Sequence, residues 1–153
     1  YVPAAAEARF INELTLARQA AQVWRYLESL HTKNIMVVTD RPGLFTIMDY
    51  GAEDLSVMRQ TRQTPFELSR HLYKDVYIIQ EIDLTTRKPL PEFEIWPELR
   101  KEPVLEFQNA ENSTIRVSRL VLDPNNLPTS PNPPPEAPPA PPMSSASAST
   151  PSN

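Results

Sequence analysis

Two aspartates in this chain each close an apolar run. Asp40 ends Asn34-Ile-Met-Val-Val-Thr-Asp40, and Asp83 ends Asp75-Val-Tyr-Ile-Ile-Gln-Glu-Ile-Asp83. Two carboxylates brought to one crevice would hold a hard cation such as Mg²⁺, which takes oxygen ligands and retains waters. Arg41, next to the first of them, offers a planar donor fork suited to a phosphate or carboxylate on a ligand. Gly43 follows two residues later, and Gly43 and Gly51 are the only glycines in the chain, so backbone freedom is concentrated in this loop. Asp40, Arg41, Gly43 and Asp83 are therefore the candidate ligand-binding residues, with no catalytic residue, metal or cofactor assigned. The competing explanation is that aspartates at strand ends cap loops or begin turns.

Other chemistries have less support. There is no Gly-rich phosphate fingerprint, no P-loop and no Gly-x-Ser-x-Gly elbow. Cysteine is absent, which excludes disulfides, thiolate catalysis and cysteine zinc sites. His31 and His71 lack ligand spacing, and nothing sets either beside a serine nucleophile. His31 is placed to interact with the negative end of a preceding helix.

The elements that would carry these residues read as one small α/β domain. Between Ala5 and Leu30, Phe10, Leu14, Ala17, Ala21, Trp24 and Leu27 recur at three- and four-residue steps, the stripe of an amphipathic helix with Trp24 facing the core. The two apolar runs that end at Asp40 and Asp83 are near-continuous, as expected of parallel strands covered on both faces. Ligands in such sheets bind beyond the carboxyl ends of the strands, which here are Thr39-Asp40-Arg41 and Glu81-Ile82-Asp83.

Between the two strands, Pro42-Gly43 reads as a type II turn, Leu44–Met48 as a short strand and Tyr50–Ala52 as a second turn. Asp54 would cap a short helix to Met58, and Thr64-Pro-Phe-Glu67 matches a capping box opening a helix to Tyr73. That helix should present Phe66, Leu68, Leu72 and Tyr73 to the core. The connection is long enough for a right-handed parallel crossover.

After Asp83 the pattern changes. Leu84–Pro103 holds four prolines and reads as an extended loop pinned by Phe93, Ile95, Trp96 and Leu99. Val104–Gln108 and Thr114–Leu122 alternate apolar and polar residues around a turn-rich linker, which predicts an antiparallel hairpin and hence a mixed sheet. The order helix, strand, Asp-Arg-Pro-Gly resembles Rossmann-like domains in outline. That likeness implies a small βαβ core and carries no function.

Eleven of the 18 prolines lie between Pro124 and Asn153, a segment with one acidic residue, no basic residue and no aromatic. Too little apolar surface is available there to offset ordering, so 124–153 is expected to be a disordered, polyproline-like tail behind a domain at 1–123. Its PxxP spacings fit recognition grooves, or the tail is a spacer. The net charge of −4 argues against a nucleic-acid partner, and Arg59, Arg62, Arg70, His71 and Lys74 read as a solvated helix face. No run approaches the ~20 apolar residues of a membrane span.

The chain opens on Tyr1 without a signal peptide, the expectation for the C-terminal piece of a longer protein or one that has lost a leader. The location would then be extracytoplasmic or membrane-associated through a missing part or a partner. The first functional expectation is a non-catalytic binding or assembly module, a subunit or soluble C-terminal domain acting through Arg41–Ala52 and Leu84–Pro103 on a protein partner. The alternative is a small metal-dependent enzyme or nucleotide-binding domain using Asp40 and Asp83.

Overall fold

A computed structural model describes residues 18–110 and 112–135. The described residues form a five-stranded mixed sheet of order β2-β1-β3-β5-β4. The strands are β1 (Ile35–Thr39), β2 (Gly51–Asp54), β3 (Asp75–Asp83), β4 (Arg100–Ala110) and β5 (Ser113–Val121). Pairing is parallel for β1 with β2 and β3, and antiparallel for β3 with β5 and β4 with β5. The α/β class, the parallel pair and the C-terminal hairpin thus follow the sequence. None of the helices in the described residues is long and apolar enough to cross a membrane.

Both faces of β1 and β3 are covered, which is why their sequences are near-continuously apolar. Ile35 and Val37 of β1 point to one cluster with Tyr77, Ile79 and Val117, beneath Val23 and Leu27 of the first helix, α1, described over 18–29. Met36 and Val38 point to the other cluster with Val76, Ile78 and Leu120, closed by Leu55, Ile95 and Trp96. Trp24 packs edge-on against Phe45, with ring centroids 6.5 Å apart, and its Nε1 donates to Leu44 O at 2.9 Å. The expected helical residues before Arg18 lie outside the described residues.

The segment after β1 departs from expectation. Pro42 has helical dihedrals and precedes a one-turn helix, α2 (Gly43–Thr46), so Pro42-Gly43 is not a type II turn and Leu44–Met48 is not a strand. No described glycine has a positive φ. Instead Asp49 (φ 70°) turns the chain into β2, where a second turn was expected. At Gly51 a Cβ would stand 3.2 Å from Met36 Cε, the flexible end of a side chain that can give way.

The next helices are α3 (Leu55–Met58) and α4 (Gln63–Ser69). Asp54 caps α3 as expected, its Oδ1 accepting from Ser56 N at 2.9 Å. Around Thr64 the capping box does not form, because Thr64 is buried and donates to Glu53 Oε2 at 2.8 Å. Arg62 is the N-cap residue of α4, without a side-chain cap. Leu68 and Tyr73 pack on the core, but Leu72 is 57% exposed beyond the end of α4.

Leu84–Pro103 is more ordered than an extended loop. It contains a 3₁₀ turn at Pro91–Phe93, and β4 begins at Arg100, with Pro103 accommodated at a register shift on the edge strand. Ile95 and Trp96 are fully buried, and Trp96 Nε1 donates to Met58 O and Thr61 O at 3.1 and 2.9 Å. Lys101 Nζ holds the carbonyls of Trp96 and Leu99, and burial pushes its pKa below the usual lysine value. Phe93, Ile95, Trp96 and Leu99 pin the loop to the core as expected, while Thr85–Lys88 and most of its other residues stay exposed.

Residues 122–135 lack regular secondary structure but run beside α4. The rest of the expected disordered tail, 136–153, lies outside the described residues.

Candidate functional site

β1 and β3 are neighbours whose chains leave in opposite directions. From β1 the chain crosses through α2 to β2, and from β3 it passes to the β4–β5 hairpin. A crevice forms outside the carboxyl ends of strands at such a point. Here it is a cavity of about 150 Å³.

The floor of the cavity is apolar: Ala20 and Val23 from α1, Leu44 and Phe45 from α2, Ile79 from β3, and Phe107 and Ile115 from the hairpin. Phe93 closes it from the loop after β3, where its carbonyl accepts Gln80 Nε2 at 2.8 Å. Those side chains meet because successive strand residues alternate between faces, which sets Ile79, Ile115 and Phe107 on one face beneath α1, Phe107 directly opposite Ile115 and Ile79 one pair along, opposite Val117.

The rim is polar. Thr39, the last residue of β1, donates to Asp40 Oδ1 at 3.4 Å and accepts from Arg41 N at 3.2 Å, which fixes the start of the loop. Arg41 Nε stands 4.0 Å from Asp40 Oδ2, with both side chains at least half exposed, so each remains available to a ligand. On the opposite rim, Glu81 Oε1 accepts from Asn109 Nδ2, and from Ser113 Oγ at 3.2 Å. Gln19 Nε2 donates to Asn109 Oδ1, linking α1 to the hairpin.

Of the four residues expected to bind ligand, the structure brings Asp40 and Arg41 to the cavity. Gly43 is exposed at the start of α2 and does not line it. Asp83 lies beyond it, because β3 continues past the end of β1: Asp83 Oδ1 accepts Thr85 N at 2.8 Å and its carbonyl accepts Arg87 N at 2.7 Å. Asp83 therefore builds a turn, and Glu81 is the β3 carboxylate that shares the cavity with Asp40. No group of three or more metal-ligating side chains occurs among the described residues.

Sequence reasoning missed Gln19, Glu81 and Asn109. The one available signal was Glu81, which breaks the apolar side of β3 defined by Tyr77 and Ile79. Among the basic residues singled out in sequence, Arg62 pairs with Glu98 at 2.6 Å and Arg59 reaches the carbonyls of Pro91 and Glu92 at 3.4 and 3.3 Å. Arg70 sits over the Phe66 ring, 5.4 Å from its centroid. They bind the protein's own groups.

Size decides what the cavity can take. Sites for drug-sized ligands span about 300–1,000 Å³, whereas an apolar cavity of about 150 Å³ accommodates benzene. The space matches one ring or one branched aliphatic side chain. No protein-family model matches this sequence, and no characterised protein or solved structure is detectably similar to it.

Proposed function

We propose that this chain is a non-catalytic binding module that receives one apolar side chain of a protein partner in the crevice beyond β1 and β3. The observation that carries the reading is the cavity: about 150 Å³, apolar below and polar at the rim, where two connections diverge. Asp40 and Arg41 on one side and Glu81 and Asn109 on the other would hydrogen-bond the polar groups flanking that side chain. An apolar anchor in a pocket ringed by polar contacts is the usual economy of protein recognition. Acting as a complex subunit, or as a domain of a longer and membrane-associated polypeptide, accords with this role.

The test is a photo-crosslinking amino acid placed at Arg41, with Thr86 as a control position on the same end of β3. The Arg41 position should cross-link one defined protein, and Ala20→Leu, which fills the floor, should remove that product. Equal yields from Arg41 and Thr86, or a product insensitive to Ala20→Leu, would overturn the proposal.

A further inference from the structure

The N-terminus of α4 is capped by a segment seventy residues away in sequence. Arg62, the N-cap residue, donates its backbone N–H to Pro131 O at 2.8 Å. Thr61 Oγ1 donates to the same carbonyl at 3.0 Å while accepting Gln63 N at 3.1 Å, so one hydroxyl relays the cap into the helix. Both lone pairs of Pro131 O are thereby engaged. At the far end of α4, Ser69 Oγ donates to Pro128 O at 3.4 Å.

Residues 128–131 thus lie along the whole helix. Proline suits such a segment, since it accepts through its carbonyl, has no N–H to leave unpaired and loses little freedom on ordering. After Pro131, Ser130 Oγ accepts Asn132 N at 3.2 Å and turns the chain over a groove of about 290 Å³. Arg62, Glu98 and Leu99 form the other wall of that groove. The wall is fixed by two hydrogen bonds from Arg62 to Glu98, at 2.6 and 3.0 Å. Burial alone would raise the Glu98 carboxyl, but these bonds overcome it and hold its pKa below the usual value.

The segment is held weakly, by three hydrogen bonds of which one is long, and Leu127, just before it, is 44% exposed. The core strands, by contrast, are buried on both faces. Units joined so lightly open without unfolding the rest.

We infer that residues 128–131 form a releasable strap that completes α4, so that the fold extends through Pro131 and release of the strap dismantles the groove and bares its Arg62–Leu99 wall. This inference does not depend on the cavity at β1 and β3.

The full chain tests it by amide hydrogen exchange and ¹⁵N relaxation. The Arg62 amide should exchange roughly tenfold slower than an unprotected amide, as one backbone hydrogen bond implies. Thr129 and Ser130 should show order parameters near the rigid value of about 0.85. In the full-length Thr61→Val/Ser69→Ala variant, those order parameters should drop below about 0.6 while the β3 amides stay protected. The unsubstituted chain in urea gives a second reading, with Arg62 losing protection at lower urea than the β3 amides. Flexible Thr129 and Ser130 in the unsubstituted chain, or an unprotected Arg62 amide, would overturn the strap. Loss of Arg62 and β3 protection together would overturn its release.

Discussion

The loops that leave β1 and β3 start at the same end of the sheet and both anchor aromatic residues in the core, Phe45 and Tyr50 in the first and Trp96 in the second, yet only the first also leaves large apolar residues outside. The loop after β1 leaves Ile47 73% exposed and Met48 37% exposed. The loop after β3 puts Ile95 and Trp96 entirely inside, with Trp96 at a positive φ of 45° and its indole N–H bonded to two carbonyls. An irregular, proline-rich loop whose other residues are mostly exposed thus carries two of the core's anchors. The β3 loop covers the sheet face that the short helices α3 and α4 leave open, and removing it would remove core.

This contrast can be broken most sharply at Trp96. Trp96→Ala should cost about 3–5 kcal/mol, the usual loss for a buried aromatic, measured by urea denaturation. A loss comparable to a surface substitution would mean that the loop is not core.

On the same side of the sheet, Tyr73 donates to Glu67 Oε1 at 3.1 Å, and burial with that bond pushes its pKa up to about 12. The folded state thus keeps a proton that the unfolded chain gives up near pH 10. Its contribution is complete below pH 10 and is lost as pH rises toward 12. Thermal melts across that window should fall more steeply for the native chain than for Tyr73→Phe.

Asp83→Ala removes the acceptor of Thr85 N and should cost about 1 kcal/mol, with no effect on ligands in the cavity. A loss of binding would restore Asp83 to the site. The smallest effect belongs to Ile47→Ser, which should stay within about 0.5 kcal/mol of the native stability. A cost near that of Trp96→Ala would erase the contrast between the loops.

Much of this architecture is written locally. β1, β3 and the hairpin announce themselves because burial on two faces or one leaves a continuous or alternating apolar pattern. β2 does not, since Gly51-Ala-Glu-Asp54 has no strand character of its own and is a strand because it pairs with β1, Met36 opposite Gly51. The turns were misread for a related reason. With only two glycines available, His31, Asp49, His71 and Arg87 take the left-handed positions at helix ends and turns.

Half of the site was legible by the same logic. Asp40 and Arg41 follow from the rule that ligands gather at strand ends. Asp83 was chosen because it ends a run of residues, but position along β3 relative to the end of β1 is a property of register. Register likewise places Glu81 opposite Ile115 and brings Asn109 to it across the hairpin. No local pattern records that.

The central claim is that the crevice beyond β1 and β3 accepts one apolar group. Titrating benzene into the methyl-labelled chain and following Ala20, Val23, Leu44, Ile79 and Ile115 by NMR tests it most directly. Saturable shifts confined to these methyls, and absent in Ala20→Leu, are the predicted result. Shifts that fail to saturate, spread over the surface or persist in Ala20→Leu would contradict it.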